Sequence, residues 1–189
     1  MKIKDNFLDK EEFSIVNQTI SDDFFPWFFQ REQVVSKDDG FYFSHKLYDL
    51  NKVCSPYYDK IVPVFKKKLK YFTLMRVTCN LLPNKYQSFK SSFHTDFLDP
   101  KNTTAIFYIN TNNGYTEIKN GAKIKSIQNR LIEFPGLQKH RSISQTDEPR
   151  RMVINFNYIS KTNSQGKSYS EQMQDDLEPI ITAPMMEME

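Results

Sequence analysis

"RMVINFNYI", residues 151–159, decides how the rest of the chain is read. Successive side chains of an extended strand alternate between its two faces. Met152, Ile154, Phe156 and Tyr158 then form an apolar face suited to packing against helices. Arg151, Val153, Asn155 and Asn157 form the opposite face, which is largely polar. A strand with one face for a core and one for something else predicts a layered β architecture.

Working outward, the same β-branched and aromatic texture recurs in "FTLMRVTCNLL" (72–82), "TTAIFYIN" (103–110), "KIKSIQ" (123–128) and "NRLIEF" (129–134). Turn signals separate these runs: Pro83-Asn84, Asp99-Pro100, Asn113-Gly114, Asn120-Gly121 and Pro135-Gly136. Short strands punctuated in this way predict a mainly β jelly roll over residues 71–160. The N-terminal part, 1–70, reads as helices with strands between, buttressing that core. Asp9 and Glu12 have the spacing of a capping box, followed by Phe13, Val16 and Ile20 on one helical stripe. Ser55-Pro56 predicts a second helix start, with Tyr58, Ile61, Val62, Phe65 and Leu69 as its apolar face and a kink at Pro63. After Ser160 the sequence turns polar, and 161–189 is expected to be a loosely held tail.

The 189 residues suffice for one domain with a real core, here residues 1–160. A net charge of +3 is too weak, and too dispersed, for a grip on duplex nucleic acid. Only Lys66-Lys67-Lys68-Leu69-Lys70 approaches a basic run, and it reads as the solvated side of a helix. Two cysteines, Cys54 and Cys79, make no disulfide framework. The opening "MKIKDNFLDK" lacks an apolar leader, and no run reaches transmembrane length. A soluble protein of a reducing, cytoplasmic compartment is expected. Oligomeric state has no signature.

Three histidines are present, and one stands in "SSFHTDF", residues 91–97. If this stretch is a strand, His94 and Asp96 point the same way. They are then either an accidental tripeptide or two thirds of a 2-His-1-carboxylate site, the donor set that suits non-haem Fe(II). His140 is a candidate third donor. It lies 140 − 94 = 46 residues further on, room for about four short strands that return the chain to its start. Arg151 opens the apolar strand 11 residues (151 − 140) beyond His140. It either reaches solvent from a strand end or presents its fork to a carboxylate. Of the doublet Arg150-Arg151, the alternation favours Arg151. Arg76, Thr78 and Asn80 share one face of their strand and should line any pocket. His45 reads as a structural histidine or as part of a substrate mouth, and Trp27 as a core anchor.

Taken together, H-x-D, a distal histidine and an arginine about ten residues later resemble the Fe(II)/2-oxoglutarate-dependent dioxygenase superfamily. The likeness is greatest to its prolyl-4-hydroxylase-like branch, including small members found in bacteriophage genomes. "KDNFLDKEEFSIVNQTI" is similar to the family's opening helix, "NRLIEFPG" to the strand before the distal histidine, and "RRMVINFNY" to the last strand. The resemblance implies a double-stranded β-helix in which His94, Asp96 and His140 hold Fe(II). It implies that 2-oxoglutarate chelates the metal and that O2 takes a remaining position. Arg151 would pair with the distal carboxylate of 2-oxoglutarate, and Tyr108, in "AIFYIN", would hydrogen-bond it. Asn80 stands near the cosubstrate where relatives often carry a tyrosine, a departure that leaves the substrate open. The implied reaction is hydroxylation of a C–H bond, on a peptidyl or prolyl substrate or on a small molecule, with release of succinate and CO2. The alternatives are a cupin-like metal-binding module without catalysis and a purely structural jelly roll. A phage origin would place the protein in a host cytoplasm.

Overall fold

The computed structural model describes residues 1–31 and 40–160; the expected tail, 161–189, lies outside them. In chain order the elements are β1 (Lys2–Lys4), α1 (Lys10–Ser21), β2 (Phe28–Gln30), β3 (Tyr42–Asp49), β4 (Lys52–Val53) and α2 (Tyr58–Lys66). Then come β5 (Tyr71–Pro83), β6 (Asn102–Tyr108), β7 (Tyr115–Ile118), β8 (Lys123–Lys125), β9 (Arg130–Pro135), β10 (His140–Ile143) and β11 (Arg150–Ser160). An eight-stranded antiparallel sheet runs β1-β9-β6-β11-β5-β3-β2, with β4 on β3, and a three-stranded sheet runs β10-β7-β8. The expected double-stranded β-helix with N-terminal helices is the fold observed.

Strand β11 is the axis of the large sheet, paired along its length with β5 and β6. Its alternation sorts the core into layers. Met152, Ile154, Phe156 and Tyr158 join Val16 and Ile20 of α1 and Ile61, Val62 and Phe65 of α2 in the larger apolar cluster. Val153, on the other face, joins Ile118, Ile124, Ile132 and Phe134 in a smaller cluster between the two sheets. Strand β6 divides likewise: Ala105 and Phe107 face the helices, Ile106 and Tyr108 the small sheet. A strand covered on both faces reads as a near-continuous apolar run, as "AIFYI" does.

The capping box at α1 forms as expected: Glu12 N donates to Asp9 Oδ1 at 2.9 Å and Asp9 N to Glu12 Oε2 at 3.0 Å. Helix α2 starts later than Ser55-Pro56 implied. Ser55 instead closes a turn, its hydroxyl accepting from Tyr57 N at 3.1 Å and its carbonyl from Tyr58 N at 3.1 Å. The helix runs through Pro63 and ends at Lys66. Leu69 is buried beyond the helix rather than on it, and Lys68 pairs with Glu12 at 2.7 Å. The strand expected over 123–128 stops at Lys125, and Ser126, just beyond it, is buried. No helix among the described residues is long and apolar enough to cross a membrane.

Candidate metal centre

Residues 84–101, between β5 and β6, belong to no strand, so the premise that placed His94 and Asp96 on one strand face does not hold. A different device aligns them. The segment runs antiparallel beside β10, held by Ser144 N to Phe89 O, Ser91 N to Ser142 O, and a reciprocal pair between His94 and His140 at 3.0 and 2.9 Å. That pair brings the two imidazoles side by side, ring centroids 4.5 Å apart, across four intervening strands. Phe134 packs edge-on against His140 at 4.9 Å.

The two rings are oriented alike. His94 Nδ1 lies 3.2 Å from Ser92 O and His140 Nδ1 lies 3.3 Å from Gln138 O. A carbonyl only accepts, so each Nδ1 carries the proton and each Nε2 is left with its lone pair. Both Nε2 atoms face Asp96 Oδ1, at 3.7 Å from His94 and 4.0 Å from His140. The other oxygen, Oδ2, accepts from Thr104 Oγ1 at 3.2 Å, Asn155 Nδ2 at 3.1 Å and Asn157 Nδ2 at 2.8 Å. One ligand atom from each residue lies within 4.8 Å of the other two.

The titration tendencies agree with that arrangement. Burial alone would push the Asp96 carboxyl up, but His140, the hydrogen bond from Asn157, His94 and Arg76 together outweigh it and hold it below the ordinary value. Burial pulls His140 below the usual histidine value, against the opposing pull of Asp96. A neutral imidazole and an ionised carboxylate are the ligand forms. Two nitrogen donors and one oxygen donor on one side of an ion fit a divalent non-haem iron.

Arg151 is the second unusual group. It is 2% exposed, whereas Arg150 points to solvent. Its guanidinium donates to Ser126 Oγ at 2.7 Å, Ser142 Oγ at 2.9 Å and Thr116 Oγ1 at 3.2 Å. Among the described residues no carboxylate lies within 4.0 Å of it. A buried charge met only by hydroxyls is costly unless an anion completes the set. Burial accordingly pulls its pKa down, with Tyr108 opposing. Gly114 makes room for it, since a Cβ there would stand 2.9 Å from Arg151 Cδ.

The triad and Arg151 line one cavity of about 910 Å³, whose wall runs from Pro26 and Phe28 across β3 and β5 to β7 and β10. Arg76, Thr78 and Asn80 line it from β5, as their shared face implied. Tyr108 does not reach the wall. It is fully buried, its hydroxyl donates to Thr116 Oγ1 at 2.8 Å, and its ring lies beneath Arg151 with Cζ 5.5 Å from the centroid. His45 is buried at the wall, its Nδ1 2.5 Å from Pro26 O and its Nε2 2.7 Å from Ser55 Oγ. Trp27 packs edge-on against Phe25 at 5.0 Å, beside the larger core. The sequence reading missed the hydroxyl cradle of Arg151 and the role of Thr104. The two asparagines under Asp96 carried a signal, because they share the face of β11 with Arg151.

No family model matches this chain, and no curated protein does. Its fold has solved counterparts. The chain is 18% identical to a prolyl hydroxylase from Trichoplax adhaerens, solved in complex with a hypoxia inducible factor oxygen degradation domain peptide fragment, with a TM-score of 0.58 over 84% of this chain and 83% of that one. A prolyl-4-hydroxylase from Pseudomonas putida superposes with a TM-score of 0.55 at 12% identity, over 84% and 91% of the two chains. The 2OG-Fe(II) oxygenase family oxidoreductase from Burkholderia pseudomallei does so at 0.54 and 11% identity, over 70% and 73%. The shared property at these identities is the fold.

Proposed function

We propose that this protein is an Fe(II)- and 2-oxoglutarate-dependent dioxygenase that hydroxylates a C–H bond, with residues 1–160 as the catalytic unit. One observation carries the reading: a His-Asp-His donor set and a buried arginine without a counter-anion among the described residues line the same cavity. The fold, shared with prolyl hydroxylases, supports it, and the neighbour solved with a peptide makes a peptidyl or prolyl substrate the leading candidate.

His94, Asp96 and His140 would hold the iron, and Arg151 would take the distal carboxylate of 2-oxoglutarate bidentately. With both bound, O2 supplies one oxygen atom to the substrate C–H bond and one to 2-oxoglutarate, which leaves as succinate and CO2. The protein's own work is positioning. Thr104, Asn155 and Asn157 hold Oδ2 of Asp96, so that Oδ1 alone faces the imidazoles. Ser126, Ser142 and Thr116 fix the plane of Arg151, and Tyr108 holds Thr116. Asn80 would contact the cosubstrate directly, whereas Tyr108 would act through Arg151 and Thr116.

Anaerobic optical titration with Fe(II) and 2-oxoglutarate tests this. A visible charge-transfer band should need both additions and should be absent in His94→Ala. Iron binding without the band would remove the cosubstrate from the proposal and leave a cupin-like metal protein. No iron binding would leave a structural jelly roll.

A further inference from the structure

Apart from the histidines, the charged side chains among the described residues on the cavity wall are Lys46, Arg76, Asp96, Arg141 and Arg151. Four are cations, and the one carboxylate belongs to the triad. Two of the cations are already neutralised by carboxylates outside the wall. Lys46 Nζ pairs with Asp49 at 2.5 Å, and Arg141 Nε donates to Glu117 Oε2 at 2.7 Å. Arg151 is accounted for by the cosubstrate. Arg76 is left.

Its surroundings hold the guanidinium still without satisfying it. Nε donates to Asn157 Oδ1 at 3.2 Å, and the group lies over the Phe97 ring with Cζ 4.8 Å from the centroid. Nη2 stands 3.6 Å from Asp96 Oδ1, beyond hydrogen-bond reach, and that oxygen is the one turned to the imidazoles. Neither Nη group has a hydrogen-bond partner among the described residues. A cation pinned through one N–H and one face, with its terminal edge free at a cavity wall, is shaped for a planar two-oxygen acceptor. Once an ion takes the charge of Asp96, the need for an anion beside Arg76 grows.

We propose that Arg76 selects a substrate bearing a carboxylate near the carbon that is oxidised. This rests on the dioxygenase reading above and names the substrate class for that site. The carboxylate can belong to a free amino acid, to the terminal residue of a peptide, or to an acidic side chain within one.

The test uses the Zn(II)-loaded protein with 2-oxoglutarate and ligand-observed NMR. Three probe sets distinguish the sources: free amino acids, N-acetyl amino acids, and N-acetyl-aspartyl and N-acetyl-glutamyl amides, each beside its neutral carboxamide. At least one acid should bind about tenfold or more tightly than its amide, the scale of a charge-assisted fork. In Arg76→Gln that preference should fall to parity, and in Arg76→Lys it should fall partway. Metal binding by Arg76→Gln should be no weaker, because a like charge beside the ion has been removed. The proposal is overturned if no acid binds, if acid and amide bind alike, or if the preference survives Arg76→Gln. If Arg76 merely positions Asp96, the variant loses metal affinity and keeps the preference. Failure of the wild-type protein to bind metal and 2-oxoglutarate would instead sink the dioxygenase reading. A flat acid-to-amide ratio with both bound sinks only the role of Arg76.

Discussion

The two faces of β11 are made by the same eleven residues and the same hydrogen-bond ladders, yet they do opposite things. Toward the helices, Phe156 is fully buried with its ring centroid 4.6 Å from that of Phe65, and Met152, Ile154 and Tyr158 extend the same layer. Toward the cavity, Arg151, Asn155 and Asn157 hold a charge and two amides inside the protein. One face gains stability by excluding water. The other spends some of it to keep polar atoms aimed into the cavity. A single strand can therefore separate fold from site, and substitutions on its two faces should fail in different ways.

The largest expected effect is on the apolar face. Phe156→Ala should lower the unfolding free energy in urea by about 3–5 kcal/mol, the range for emptying a buried aromatic site. The metal affinity of the molecules that remain folded should be unchanged. A loss below about 1 kcal/mol would mean that this face is not the core. Next is Arg151→Met, which should weaken 2-oxoglutarate binding by about 30-fold or more, as expected when one partner of a buried charge pair is removed. The same variant should leave the stability of the ligand-free protein unchanged or higher, since an uncompensated buried charge is replaced by an apolar chain. A large fall in stability would make Arg151 a structural residue and erase the contrast between the faces. Last is Asn157→Ala. It removes one of three donors to Asp96 Oδ2 and should reduce metal affinity by about 10–100-fold, read by competition with a chelator.

How far these faces could be read from the sequence depended on how local their cause is. The apolar row of β11 and the placement of Arg76, Thr78 and Asn80 on one wall follow from a two-residue period, which the sequence displays directly. So did the capping box. His94 and Asp96 do not owe their alignment to strand alternation, because the segment is not a strand. Their alignment comes from backbone bonds to β10, a partner that no local pattern reveals. The cradle of Arg151 was invisible for a similar reason. Thr116, Ser126 and Ser142 are ordinary residues from three separate places, and only the closed fold makes them neighbours. The burial of Tyr108 away from the cavity was also hidden, since a tyrosine in an apolar strand looks the same whichever sheet it faces. The 123–128 run misled because its β propensity continues past Lys125, where the strand ends.

The position of β11 between β5 and β6 has a consequence for synthesis. A ribosome makes His94 and Asp96 well before the strand that steadies them, because Asn155 and Asn157 come 59 and 61 residues later. Until β11 emerges, β5 and β6 have no shared partner, and the large sheet is two separate pieces. Inserting the central strand last closes long loops and completes the carboxylate's grip in one event. An unfinished chain therefore lacks two of the donors that hold Asp96 Oδ2, and under the proposed function its full grip on the ion would arrive together with the finished sheet.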